Sequence, residues 1–335
     1  MNKSCVITVP NMGQNYDQDI KRLASLGIDA EWKKDSVRNS QDENVVIEHC
    51  KGYDIVIAAN ERWGKTAFQA CKDKLKILIR YGIGFDNVDL AAASEVGIPV
   101  AILPGCNAEA VAEQAVALML SVARRISYQQ EIIKAGTYTV QTFATNSVMK
   151  KTIGLLGCGN IAKAVVRLLQ GFDCTFLAYD IVVDKQFARR YGVTYVSLEE
   201  VLSKSDIISV HLPLLPETKR IINKDTIALM KPEAILVNTS RGGLVCSEEL
   251  AEALRNKRIL GAGLDVFENE VESDKPLGYQ FLELNNVALT AHTASATFET
   301  FQYMMKRAID VIECYVNGEP IPGLLNPQYK KYRLK

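Results

Sequence analysis

An excess of charge of either sign is missing from this chain: 39 lysines and arginines balance 39 aspartates and glutamates. A nucleic-acid or anionic-membrane protein carries a basic excess or stripe, so the balance argues against both partners. Long apolar runs are missing as well, and none reaches the ~20 residues that cross a bilayer. Histidine is scarce, with only His49, His211 and His292, which leaves few candidates for proton chemistry near neutral pH. The cysteines, Cys5, Cys50, Cys71, Cys106, Cys158, Cys174, Cys246 and Cys314, contain no C-x-x-C pair. That sets aside the common zinc patterns, and no metal is expected. Met1 to Cys5 leads straight into a strand-like stretch, which reads as lacking a signal peptide. Buried free thiols in a reducing, cytoplasmic setting are the expectation.

What is present is an alternation. At 335 residues the chain is too long for one ordinary core, and two domains are expected. Short β-branched runs alternate with helical patterns, the mark of a parallel α/β sheet. Val6–Val9, Ile55–Ala58, Ile77–Ile79 and Val100–Leu103 read as strands of a first series. Ile153–Leu156, Phe176–Tyr179, Ile207–Val210, Ile235–Val237, Gly263–Val266 and Val287–Thr290 read as a second. Ser197 with Glu200 forms a capping-box pattern, and Ser247 is placed to cap the helix that begins at Glu248. Ala108 to Arg125 is apolar nearly all round, with Asn107 as candidate cap, so a buried helix joining two domains is expected. Its apolar surface exceeds what one crossing buries, so part of it is expected in a two-fold dimer interface. A second joint, Thr297 to Asn317, carries an apolar stripe at Phe301, Met305, Ala308 and Ile312 and stops at Gly318.

The most informative stretch runs from Ile153 to Ala162: a buried strand, then G-x-G-x-x-A, then an amphipathic helix. Gly157 permits the tight turn, Gly159 lets backbone approach a pyrophosphate, and Ala162 allows close helix–strand packing. The helix start at Asn160 and Ile161 offers N–H groups and a positive dipole end to phosphate. The next strand ends at Asp180, where an acid binds the adenosine ribose, and no Arg follows it in Ile181-Val182-Val183. The expected cofactor is therefore NAD rather than NADP. A glycine turn alone is a weak signal; strand, helix and distal acid together make it a nucleotide site.

Hydride transfer needs a cation for the substrate carboxylate, an acid/base, and a group that orients that acid/base. Three residues that each follow an expected strand supply them: Arg241, His292 and Glu270. Ligands bind beyond the carboxyl ends of strands in such sheets. The plainer readings are a turn arginine, a structural histidine, and a solvated acidic loop with Glu268, Glu272 and Asp274. Their convergence on one edge favours the site, with Glu270 hydrogen-bonded to one nitrogen of His292 and the other nitrogen facing the substrate oxygen.

These residues carry a resemblance to the D-isomer-specific 2-hydroxyacid dehydrogenases, the family of D-3-phosphoglycerate dehydrogenase, D-lactate dehydrogenase and glyoxylate/hydroxypyruvate reductase. The matching stretches are Tyr81-Gly82-Ile83-Gly84-Phe85-Asp86-Asn87-Val88-Asp89, Pro104 to Glu113, the glycine fingerprint, Val210-His211-Leu212-Pro213-Leu214, Asn238-Thr239-Ser240-Arg241-Gly242, Gly261 to Glu268, and Leu289-Thr290-Ala291-His292. The resemblance implies an α/β fold of two Rossmann-like, doubly wound parallel-sheet domains with a cleft between them. Residues 1–103 with 297–335 would form a discontinuous substrate domain and residues 104–296 the NAD-binding domain. It implies Arg241, Glu270 and His292 as the catalytic trio and Asp265 as a contact to the nicotinamide carboxamide. It implies His211, Pro213 and Thr239 beside NAD, and Ile83, Gly84 and Asn107 around the substrate carboxylate. A cytoplasmic homodimer acting on a small 2-hydroxy or 2-oxo acid follows from the same likeness.

Several positions depart from the family pattern: Val271 and Ala291 stand where proline is common, and Ala294-Ser295 where two glycines are. None removes a functional side chain. Phosphoglycerate enzymes commonly place an arginine after the strand ending at Ala58, where this chain has Ala59-Asn60-Glu61, with Arg62, Lys65 and Arg80 nearby. A phosphorylated substrate is not favoured. The competing reading is an NAD-sensing protein, like the transcriptional corepressors of this fold, with little turnover.

Overall fold

The fold was described from a computed structural model. The structure describes residues 3–34, 37, 40–137, 144–268 and 278–333. The chain divides into two units, Met1–Asn107 with Ala296–Lys335, and Ala108–Ser295. The division at 107/108 lies four residues beyond the expected 103/104, and the return at 295/296 lies one residue before the expected 296/297. Each unit is an α/β sheet with all of its strands parallel, as the alternation of short apolar runs and helices predicts.

The first unit holds β1 (Lys3–Ile7), β2 (Ile28–Trp32), β3 (Ile55–Ala58), β4 (Ile77–Arg80) and β5 (Val100–Ala101), in the order β2-β1-β3-β4-β5. Side chains alternate between its two faces. Ile55, Ile57, Ile77 and Ile79 enter one core and Val56, Ala58 and Leu78 the other. A strand covered on both faces has no polar alternation, and so β3 and β4 read as continuous apolar runs. β2 is different. Only Ile28 of Ile-Asp-Ala-Glu-Trp is buried, because it is an edge strand, and it was not among the expected strands.

β5 ends at Ala101, short of the expected Leu103. The N–H of Ile102 turns to the carbonyl of Gly323 (3.0 Å) and Ala101 bridges Leu324. The C-terminal segment thus closes the sheet edge, and Asn326 anchors it. Its Oδ1 accepts from Val100 N (2.8 Å), and its Nδ2 donates to Ile98 O (2.9 Å) and Ser94 Oγ (3.1 Å), all buried. The helix Phe298–Asn317 belongs wholly to this unit; Thr297 caps it through Thr300 N, Gly318 ends it at φ +73°, and Met305, Ala308 and Ile312 are buried.

The second unit holds β6 (Thr152–Leu156), β7 (Thr175–Tyr179), β8 (Val193–Tyr195), β9 (Ile207–Val210), β10 (Ile235–Asn238), β11 (Gly261–Leu264) and β12 (Val287–Leu289). Their order is β12-β11-β10-β9-β6-β7-β8, a doubly wound dinucleotide-binding sheet with one further strand, reversing direction of winding at β6. The helix Ala108–Ala123 falls in this unit from its first residue, directly after the division at 107/108. It closes on β11 because that strand is Gly-Ala-Gly-Leu: a Cβ on Gly263 would stand 2.8 Å from Leu118 Cβ, and one on Gly261 2.7 Å from Val122 Cγ1. Ala112, Ala115 and Met119 share a core with Ala162, Val165 and Val166 of the helix Asn160–Leu168, leaving Glu109, Glu113 and Ala117 exposed. This packing within one chain accounts for most of the helix's apolar surface.

Two expected caps are corrected. Asn107 Oδ1 is buried and accepts no hydrogen bond, so its side chain caps nothing. Ser247 is the first residue of its helix; Cys246 takes the cap position, and Glu268 Oε2, 3.4 Å from Ser247 N, stands where a cap oxygen is needed. The capping box of Ser197 and Glu200 forms as expected.

Asn326 supplies a test of the edge closure. Asn326→Leu leaves Val100 N and Ile98 O without their partner, while Ser94 Oγ keeps Leu90 O and Gln328 Nε2. Stability to urea is expected to fall by at least about 2 kcal/mol, since each buried group left unpaired costs about 1–3 kcal/mol.

Candidate active site

In the second unit every strand points its carboxyl end the same way, so the loops after β6, β7, β9, β10, β11 and β12 share one edge. All six carry residues singled out by the sequence.

The loop after β6 is the glycine turn. Gly157 sits at φ +90°, and a Cβ there would stand 2.9 Å from the carbonyl of His211, so neither geometry nor space admits a side chain. Gly159 has ordinary extended backbone, and a Cβ there would meet nothing within 4 Å. It therefore keeps a space open toward the start of the helix Asn160–Leu168. The first amide bonded within that helix is Lys163 N, to Gly159 O (3.0 Å); the N–H groups of Asn160 and Ile161 find no acceptor among the described residues. Ala162 is fully buried.

Asp180, at the end of β7, reaches back to this turn. Its Oδ2 accepts from Cys158 N (2.6 Å) and its Oδ1 from Val182 N (2.9 Å), which fixes the carboxylate beside the glycine loop. Ile181 and Val182 beyond it are exposed. After β9, His211 N bonds to Leu156 O (2.7 Å), tying that loop to the glycine turn. Both ring nitrogens of His211 are buried without a partner, and burial pushes its pKa down to about 4. The ring is neutral at pH 7, consistent with packing rather than acid catalysis. Pro213 is exposed, and its carbonyl accepts from Thr218 Oγ1 (2.6 Å). Thr239 Oγ1, after β10, is a further buried atom without a partner.

These features fit a dinucleotide. Unused helix-terminal amides and an open glycine suit a pyrophosphate, a fixed carboxylate suits ribose hydroxyls, and orphaned buried polar atoms on the same edge await a polar ligand. Among the described residues no acidic, histidine or cysteine cluster is arranged to hold a metal.

Arg241 follows β10 in a loop braced from below. Ser240 Oγ donates to Leu212 O (2.6 Å), Asn238 Nδ2 donates to Arg241 O (2.9 Å), and Arg241 Nη1 donates to Ser240 O (2.8 Å). Gly242 is required there, since a Cβ would overlap the Phe267 carbonyl at 1.9 Å. His292 follows β12 and is exposed, at φ +52°. A left-handed backbone costs a non-glycine residue about 1–2 kcal/mol, so its surroundings must hold it. Its N–H donates to Asp265 O (2.7 Å). Strand β11 separates β10 from β12, which spaces the two loops by about 10 Å. Glu270 lies outside the described residues. Its neighbour Glu268 is paired with Arg220 Nε (2.8 Å), so that acid is structural.

Asp265, at the end of β11, is fully buried. Its Oδ1 accepts from Thr290 Oγ1 (2.6 Å) and Thr293 N (3.0 Å), and its Oδ2 from Ala294 N (3.0 Å). The side chain faces the loop after β12.

In the first unit the loop after β4 carries Ile83 and Gly84. Their N–H groups find no acceptor among the described residues, as suits a carboxylate oxygen. Arg80 underlies the loop and donates to the carbonyl of Tyr81 and to Asn60 Oδ1. Gly82 above it, at φ +144°, has no room for a Cβ, which would stand 2.9 Å from Arg80 Nη1. Glu61 is buried beside this network and accepts from Thr8 Oγ1 (2.6 Å); burial raises its pKa. Among the described residues, Asn107 Oδ1 and Glu61 Oε2 are buried without a hydrogen-bond partner. Sequence reading did not give Glu61 and Thr8 a role, because a buried acid after an apolar strand has no local signature.

Comparison with known proteins places these features in context. Residues 116–294 match the family profile described as "D-isomer specific 2-hydroxyacid dehydrogenase, NAD binding domain". The glyoxylate reductase of Korarchaeum cryptofilum is 36% identical over 308 residues, 90% of each chain. The D-3-phosphoglycerate dehydrogenase of Methanocaldococcus jannaschii is 37% identical over 268 residues; these are 78% of this chain but only 50% of that longer protein. The apo structure of Escherichia coli D-lactate dehydrogenase superposes with a TM-score of 0.81 at 30% identity, covering 96% of this chain and 99% of the other.

The buried histidine generates a prediction. Below pH 6.5 the unfolded ring of His211 takes a proton that the folded ring refuses until about pH 4. The unfolded state then binds more protons, so stability falls as pH drops through this window. His211→Phe is expected to remove that part of the acid sensitivity, on the order of 2 kcal/mol, read by urea denaturation at pH 7 and pH 4.5.

Proposed function

The chain belongs to the D-isomer-specific 2-hydroxyacid dehydrogenase family, and on that premise we propose that it interconverts a small, unphosphorylated 2-oxo acid and its D-2-hydroxy acid. The cofactor is NAD, which supplies or takes up the hydride when bound. The observation that carries the reading is the placement of Arg241 and His292 on loops at the same sheet edge as the glycine turn and Asp180.

Arg241 binds the substrate carboxylate through its planar fork and polarises the C2 oxygen. His292 gives its proton to that oxygen during reduction and removes it during oxidation. Glu270 hydrogen-bonds the second ring nitrogen and favours the imidazolium. The amides of Ile83 and Gly84 are assigned as donors to a substrate carboxylate, as the family resemblance implies. Gly157, Gly159, Asn160 and Ile161 hold the pyrophosphate of the cofactor, Asp180 its ribose, and His211, Pro213 and Thr239 line it.

Two features favour a substrate without phosphate. No cation follows β3 in Ala59-Asn60-Glu61, and the guanidinium of Arg80 is engaged by Tyr81 and Asn60. The relative matched over 90% of its length is a glyoxylate reductase. We further assign a cytoplasmic homodimer. Its interface would use the second unit, where Ile126 and Ile133 are exposed on a helix (Ile126–Lys134) that buries none of its residues.

Oxidation of NADH with glyoxylate, hydroxypyruvate, pyruvate and phosphohydroxypyruvate decides the reading; no turnover of any of them would leave a nucleotide-sensing protein instead. His292→Ala is expected to lower the reductive rate at least about 10²-fold and to abolish its decline with rising pH. Retained rate with an unchanged pH profile excludes His292 as the acid. NADH is expected to bind well ahead of NADPH, whose 2′-phosphate meets Asp180, and Asp180→Ser to narrow that gap by about tenfold or more. Equal calorimetric affinities for the two in the wild type would overturn the assignment of Asp180.

A further inference from the structure

We propose that Asp265 is a positioning residue for His292, holding the loop Thr290–Ala294 in the one backbone shape that presents the imidazole. The assignment rests on His292 being the acid/base of the reaction proposed above.

The case begins with the ladder. β11 and β12 are parallel neighbours, with Leu264 opposite Leu289. Past the strands two more bonds continue the pairing, Thr290 N to Leu264 O (2.9 Å) and His292 N to Asp265 O (2.7 Å). The chain then reverses at His292, φ +52°. A left-handed residue swings the N–H groups that follow it to one side, where consecutive amides form a concave anion cradle. Here the cradle is filled from within the protein. Thr293 N and Ala294 N both point at the Asp265 carboxylate, at 3.0 Å each. Thr290 Oγ1 donates to it at 2.6 Å from the other end of the loop and in turn accepts from Gln114 Nε2 (3.1 Å). One buried side chain therefore fixes residues 290, 293 and 294 around His292, and its own carbonyl fixes His292. Four anchors on a five-residue loop are more than the turn itself needs, and all converge on the residue with the unfavourable backbone. The carboxylate suits the task because it accepts only. In Asp265→Asn the amide nitrogen would face one of three donors.

The test uses the full chain bearing Asp265→Asn, and separately Thr290→Val, which removes one anchor and spares the fold if the first variant does not accumulate. Amide exchange is read at Thr293 and Ala294 without ligand. NADH affinity is read by fluorescence, and kcat and KM with glyoxylate over a pH series. Asp265→Asn is expected to lose protection at both amides by tenfold or more and to lower kcat by roughly ten- to a hundredfold, as misplacement of a reacting group does. In a His292→Ala background the same change should lower the residual rate by less than about twofold, because the group it positions is gone. Thr290→Val should shift each quantity in the same direction by less. A weakened NADH affinity with unchanged kcat would overturn the proposal in favour of a cofactor contact. Equal losses with and without His292, or unchanged amide protection, would overturn it outright. If the wild type turns over no 2-oxo acid, the enzymatic reading fails, and amide exchange alone decides whether Asp265 holds the loop.

Discussion

Parallel alignment is the constraint on which the second unit rests. Seven strands that run one way leave their carboxyl ends along one edge, so every loop of consequence leaves from the same side. The ladder then fixes how far apart those loops begin. Asn238 stands opposite Leu264, and Leu264 opposite Leu289. A slip of one residue in either pair would turn each side chain to the other face and carry Arg241 or His292 away from its neighbours. The glycines of β11 serve the same end. They admit the helix Ala108–Ala123 close against the sheet and pin the strand that separates the arginine from the histidine.

How much of this the sequence disclosed depends on where each residue's partners lie. Strands buried on both faces were legible because their apolar runs are continuous, as in Ile55–Ala58 and Ile207–Val210. The edge strands β2 and β8 were not. β2 buries only Ile28 and β8 only Val193, so neither rises above the background of a loop. The glycine turn was legible because its backbone geometry demands residue types, and Gly157 shows the positive φ that such a demand implies. Arg241 and His292 could be placed after strands, but not their supports. The partners of Asp265 are mostly backbone amides, which every residue has, and no choice of side chain at 293 or 294 records that they point at a carboxylate.

The caps show the same limit at smaller scale. Ser197 and Glu200 satisfy one another within four residues, and their box could be read directly. Ser247 has the right chemistry in the wrong register, because an acceptor from 21 residues away, Glu268, had already met the need. In the first unit, Glu61 and Arg80 are charged residues at the ends of apolar strands, which sequence alone assigns to solvent. Their burial beneath the loop of Ile83 and Gly84 arises from Thr8, Asn60 and Tyr81, each from a different segment.

On the proposed role of His292 as the acid, its left-handed backbone sets stability against activity at a single position. Glycine adopts that shape without steric penalty, so a library screened for heat resistance alone would tend to enrich glycine there and discard the imidazole. On that proposed role, the histidine persists only where selection acts on turnover. Residue 292 therefore offers a record of past selection: among descendants of this chain freed from catalysis, it is the position at which relaxation should show first.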